Sequence, residues 1–187
     1  MSDPDRVFVA LFSGINVGGN RIVKMAELRS FFEDLGLSDV ATYMQSGNVV
    51  FTSSESDTAT LTKRIEAAFE KRWGFPSRVM VRDLEWFERL VDENPFADVA
   101  ADPTKLHVHA LEREPTVAEV ARLAQKCTGP ERFEVRGDCL YLYAPDGVGK
   151  SVFANLIPRV LGVPGTARNW RSVTALLKLA TGAAGGK

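Results

Sequence analysis

Apolar residues recur along this chain with period two and with helical spacing, in the order β-α-β-β-α-β, and that order occurs twice. The pattern predicts an α+β chain of two ferredoxin-like (alpha-beta plait) halves in tandem, each with an antiparallel sheet. A further observation supports it. Each half holds one close strand pair around a glycine turn, Ser46-Gly47 in the first and Gly137-Asp138 in the second.

Residues 6–12, RVFVALF, are apolar on both alternating faces: Phe8, Ala10 and Phe12 on one, Val7, Val9 and Leu11 on the other. Such a strand is central and covered on both sides. The two helices of a split βαβ half cover one sheet face only. The second face therefore needs the interdomain helix, the other half or a partner subunit. After the loop SGINVGGNRIV, Met25, Leu28, Phe32 and Leu35 fall at helical spacing, so residues 24–35 are an amphipathic helix closed by Gly36. VATYMQ and NVVFTS are short strands. Asp57 is an N-cap for a helix that buries Leu61, Ile65, Ala68, Phe69 and Trp73, and Gly74 and Pro76 stop it. SRVMVR is the fourth strand.

The first half is thus expected over residues 1–82. A connection over 83–103 carries the helix LEWFERLV and then polar chain with NPF and ADP. The second half is expected over 104–180. KLHVHAL is its first strand, TVAEVARLAQKC a helix, and RFEVRG with CLYLYA a hairpin. KSVFANLIPRVL is a helix with Pro158 late in it, GTARN a short last strand, and WRSVTALLKLA a terminal helix. The tail over 181–187, TGAAGGK, is expected to be disordered.

Composition narrows the function classes. The 187 residues carry a net charge of −1, without the basic excess of a nucleic-acid binder, so nucleic acid is not an expected partner. No apolar run approaches the ~20 residues that span a bilayer. The N-terminal MSDPDR is polar and acidic, unlike a secretory signal. These features point to a cytoplasmic chain with no membrane partner. Cys127 and Cys139 form no metal motif and read as free thiols. No cofactor motif is complete, and oligomeric state is open.

One stretch comes close to a motif. YAPDGVGKS, residues 143–151, supplies the Gly149, Lys150 and Ser151 of a phosphate-binding P-loop, G-x-x-x-x-G-K-[ST], but Ala144 stands where the first glycine belongs. The strand before it sits in a hairpin and is therefore antiparallel, whereas P-loop proteins use a parallel sheet. ATP hydrolysis is not expected. An anion at the exposed amides of a helix N-terminus is still compatible with the residues.

The topology brings loops together. The loop after the first strand, Gly14 to Asn20, shares one end of the sheet with the hairpin Gln45-Ser46-Gly47-Asn48. Asn16, Gly18, Gly19, Gln45, Ser46 and Asn48, with Arg21 and Lys24 beside them, form a candidate rim for a polar or anionic ligand. The ordinary alternative is that the glycines permit positive φ and the Asn and Ser side chains cap turns. In the second half, Gly147, Gly149, Lys150 and Ser151 share an end with Arg168, Asn169 and Trp170. An Arg, an Asn and a Trp beside a glycine-rich helix start can hold a phosphate or a planar group. The alternative places Trp170 in the core and Arg168 at a helix start or on the surface.

Other residues carry weaker signals. His107 and His109 lie two apart on a strand and face the same side; a metal would need a third ligand such as Glu112 or Asp138. Ser13, Ser46 and Ser151 lie outside any nucleophile elbow. Cys127, at a helix C-terminus, sits where the dipole disfavours a thiolate.

GINVGG, MAELRSFFEDLG, VATYMQSGNVVF, PDGVGKS and TARNWRSVTAL, in this order, resemble the domain-of-unknown-function family number 1697 from Val7 to Leu179. The resemblance implies a bacterial protein of paired ferredoxin-like domains and no established activity. It also implies an Arg directly before GINVGG, where this chain has Ser13. Three functional readings follow: a binder of a small polar or anionic ligand at the glycine-rich loops; an enzyme on a phosphorylated or nucleotide-like substrate; and an RNA-binding module that stacks bases on Phe8, Phe12 and Phe51.

Overall fold

A computed structural model describes residues 5–99 and 101–185. Contacts divide the chain into two compact units, Met1–Arg89 with Ala175–Lys187, and Leu90–Thr174. The architecture is α+β, with two four-stranded antiparallel sheets.

The first unit contains β1 (Arg6–Phe12), α1 (Met25–Asp34), β2 (Ser38–Tyr43), β3 (Asn48–Ser53), α2 (Thr58–Trp73) and β4 (Val79–Asp83), followed by α3 (Leu84–Asp92). Its sheet order is β2-β3-β1-β4. Asp57 caps α2, accepting hydrogen bonds from the Ala59 and Thr60 N–H groups. Such a cap satisfies two of the four orphan donors of the first turn. Phe8 and Phe12 of β1 pack with Phe51 of β3, Phe31 and Phe32 of α1, and Leu61, Ile65 and Phe69 of α2. The ring centroids of Phe12 and Phe69 lie 5.1 Å apart and those of Phe32 and Phe51 5.2 Å apart. Fully burying one such ring stabilises by about 1.5–3 kcal/mol. Val7, Val9 and Leu11 on the opposite face of β1 are buried too, with Val50 and Met80 on the same face. The doubly apolar strand is therefore central and covered on both faces.

The second unit contains β5 (Leu106–Leu111), α4 (Val117–Ala124), β6 (Arg132–Arg136), β7 (Cys139–Tyr143), α5 (Val152–Leu161) and β8 (Gly165–Asn169). Its sheet repeats the order of the first as β6-β7-β5-β8. Thr116 and Glu119 form a capping box on α4. A two-pronged ion pair with Arg113 and the Thr116 amide hold the Glu119 carboxyl down to about 2. Leu140 and Leu142 of β7 pack against Leu123 of α4 and Phe153, Ile157 and Leu161 of α5. Tyr141 lies on the other face, buried, and donates to the Leu90 carbonyl at 2.8 Å.

His107 stands opposite Leu142 and His109 opposite Leu140, so both imidazoles share the helix-covered face. Desolvation there lowers both, and it holds His109 down to about 4, with the His107 charge adding to it. The His107 Nδ1 is buried without a hydrogen-bond partner. Among the described residues no three metal-ligating side chains come together.

The last helix, α6 (Trp170–Gly185), corrects the expected tail. It continues past Ala180, which is fully buried, and Thr181 bonds the Leu177 carbonyl one turn back at 2.9 Å. The alanines beyond it are good helix formers. Gly186 and Lys187 lie outside the described residues. No described helix is long and apolar enough to cross a membrane.

Candidate functional site

Antiparallel pairing sets Leu11 opposite Asn48 and Phe12 opposite Val79. The β1–α1 loop, the β2–β3 turn and the entry to β4 therefore share one end of the first sheet. Gly18 and Gly19, at φ 59° and 77°, make a tight turn closed by the Val17–Asn20 bridge. Asn16 ties this small hairpin down. Its Nδ2 donates to the Val23 carbonyl at 2.9 Å and to the Gln45 carbonyl at 2.7 Å, and its Oδ1 accepts the Val23 N–H at 2.8 Å. The Asn48 Nδ2 donates to the Tyr43 carbonyl and to the Ser46 Oγ, at 2.9 and 2.8 Å. Gly47 accepts the Phe12 N–H. A Cβ there would lie 2.5 Å from the Ile15 Cδ1 and 2.8 Å from the Phe12 Cβ, at φ 74°, so only glycine fits. Arg21 lies over the Phe75 ring at 5.5 Å, and Lys24 pairs with Glu27 at 3.7 Å. The polar capacity of this end is spent largely on joining its own loops.

The second unit is different. Around the N-terminal end of β5, β7 finishes with Tyr143 opposite Leu106, β6 begins with Arg132 opposite Tyr143, and β8 finishes with Asn169 opposite His107. Between the α4–β6 connection and the β7–α5 loop lies a cleft of about 790 Å³. Gly147, Lys150 and Ser151 line one wall; Gln125, Lys126, Thr128 and Glu131 line the other. Ser151 caps α5, accepting the Ala154 N–H at 3.0 Å, and donates its hydroxyl proton to the Glu131 carboxylate at 2.5 Å. That bond joins the two walls. Gly147 takes φ 91°, and neither it nor Gly149 has any atom within 4 Å of where a Cβ would stand. The backbone of this loop is open to close approach.

The P-loop comparison ends at the first residue. Ala144 is buried, and its N–H bonds the Lys105 carbonyl at 2.9 Å, so it cannot face a phosphate. β7 is antiparallel to both of its neighbours.

Arg168, Asn169 and Trp170 are not part of the cleft lining. β5 lies between β8 and β7, and two strand spacings amount to ~10 Å. Arg168 is buried, donates to the Thr166 Oγ1 and the Ala167 carbonyl, and is lowered by desolvation to about 10. The Asn169 Oδ1 accepts the Ser172 N–H at the start of α6, and Trp170 is 9% exposed. Sequence reasoning missed Lys126, Thr128 and Glu131. The signal was available: β6 runs parallel to β5, so the α4–β6 connection must arrive at the end where β7 leaves.

Comparison with known proteins adds the fold and the family. A conserved bacterial protein of Streptococcus pneumoniae matches with a TM-score of 0.70 and 24% identity, over 95% of this chain and 99% of that one. At that identity the likeness shows the fold alone. No curated protein matches. The family model described as "Protein of unknown function (DUF1697)" matches residues 6–141, which takes in the 125–131 wall of the cleft and stops before the 144–156 wall. With most of its length matched, this chain belongs to the DUF1697 family.

Proposed function

We propose that each unit is a ferredoxin-like plait, and that the second binds a small polar ligand with an anionic, phosphate-type group in the cleft between residues 125–131 and 144–156. The plait reading is supported by the strand orders β2-β3-β1-β4 and β6-β7-β5-β8 with antiparallel neighbours throughout. The binding reading rests on one observation: a cleft of about 790 Å³ with an open glycine backbone and two lysines, Lys126 and Lys150, in its lining. Lysines act on phosphate as point charges. The first turn of α5 adds amide donors and the positive end of its dipole. Glu131, held to Ser151, keeps a carboxylate at one point of the lining, so the fitting ligand also offers a hydrogen-bond donor.

The test is a thermal-shift series with pyrophosphate, ADP and a sugar phosphate. Saturation at ~100 times the dissociation constant adds about 2.7 kcal/mol to stability. A shift that disappears in Lys126→Ala/Lys150→Ala supports the reading; a shift that persists there moves the site elsewhere. The enzyme reading draws on the Ser151–Glu131 bond, a hydroxyl beside a carboxylate acceptor. Because Ser151 also caps α5, a positioning role comes first. The RNA reading loses support, since Phe8, Phe12 and Phe51 are wholly buried and offer no base a stacking surface.

A further inference from the structure

Val17, Ile22 and Met44 are 66, 67 and 62% exposed. They are three of the six large apolar side chains most exposed among the described residues, and all three lie on the two loops that Asn16 joins. Single exposed aliphatics are ordinary; a concentration on one end of a sheet marks a contact surface. The little charge on these loops is also of one sign. Residues 13–24, SGINVGGNRIVK, and 43–48, YMQSGN, contain two cations and no acid, in a chain of net charge −1. Glu27, which meets Lys24 at 3.7 Å, is the nearest carboxylate along the chain. Ser13 donates its N–H to the carbonyl of Arg78, which shares a shallow depression with Lys63, Glu66 and Glu70 and so adds no net charge to this end.

We propose that this end docks on an anionic lipid surface, with Val17, Ile22 and Met44 entering the interface and Arg21 and Lys24 staying among the headgroups. The chemistry selects that occupant over others. The three exposed apolar side chains are aliphatic, so they give no stacking platform for bases. Protein hot spots favour Trp, Tyr and Arg in a matched pocket. A short Gly-Gly hairpin with aliphatic neighbours and flanking cations needs no matched pocket, because a bilayer interface is fluid and accepts apolar side chains beside basic ones. Surface docking requires no spanning segment.

Co-sedimentation with phosphatidylcholine vesicles, with and without phosphatidylglycerol, tests this on the full chain. The variant is Val17→Ser/Ile22→Ser/Met44→Asn; Asn tolerates the left-handed φ of 60° at residue 44. All three positions are exposed, and an unchanged melting curve verifies the fold. The wild-type chain is expected to pellet with the anionic vesicles and to be released by salt, and the variant to partition about tenfold or more weakly. Three results would overturn the proposal: no pelleting with anionic vesicles, equal partition of variant and wild type, or a wild-type dimer in light scattering that the variant loses, which would make a second copy the occupant.

Discussion

Acid should weaken this fold through a histidine before its carboxylates matter. His109 sits on the helix-covered face of the second sheet, where desolvation holds it down from 6.5 to about 4. Each tenfold difference in proton affinity between folded and unfolded chains is worth about 1.4 kcal/mol. Above pH 6.5 the ring is neutral in both states and contributes nothing to the pH dependence. As pH falls from 6.5 towards 4, the unfolded chain takes up the proton and the folded chain does not, so stability falls by about 3 kcal/mol, less to the extent that water reaches the ring. Below about 4 both states are protonated and the loss stops growing. His107 is lowered by the same burial and adds in the same direction. Glu119 acts in a lower window: its contribution is present above 4.5 and is lost as pH falls towards 2. The assay is urea unfolding at steps from about pH 7 to about pH 4, for wild type and His109→Gln. Whatever stability the variant starts from, its curve should be flatter across that window. Parallel curves for the two proteins would refute the desolvation argument.

Asn16→Ala should destabilise by about 2–4 kcal/mol, from three lost hydrogen bonds and an alanine forced to φ 55°. Ligand affinity at the second unit should stay as it was; a near-neutral unfolding midpoint would return Asn16 to the list of ligand contacts. Trp170→Ala should cost about 3–5 kcal/mol in urea unfolding, since the ring is almost fully buried. A loss below about 1 kcal/mol would mean that the indole packs against little.

Much of the fold was legible because its signals are local. NVVFTS is β3 to the residue, and Asp57 and Gly74 bound α2 as capping and glycine conformation require. The double apolar face of RVFVALF gave the central place of β1. The site was less legible, because its parts meet through space. Ser151 meets Glu131 across twenty positions of sequence, and nothing in KSVFANL names that partner. Arg168 and Asn169 share a sheet end with the glycine loop, yet a strand's width and a turn inward separate them from it. Polar side chains in the first loop were visible, but whether Asn16 faces a ligand or its own backbone depends on the approach of Gln45, set by the β2–β3 turn.

The most direct test of the account is where an anion binds. Backbone amide shifts of the labelled protein, followed by NMR through a titration with pyrophosphate, would locate it. Saturable shifts of Gly147, Gly149, Ser151 and Val152 together with Lys126–Glu131, and quiet amides over 14–20 and 45–48, are the predicted result. Shifts confined to the first unit, or no saturable shift anywhere, would contradict the cleft as the binding site.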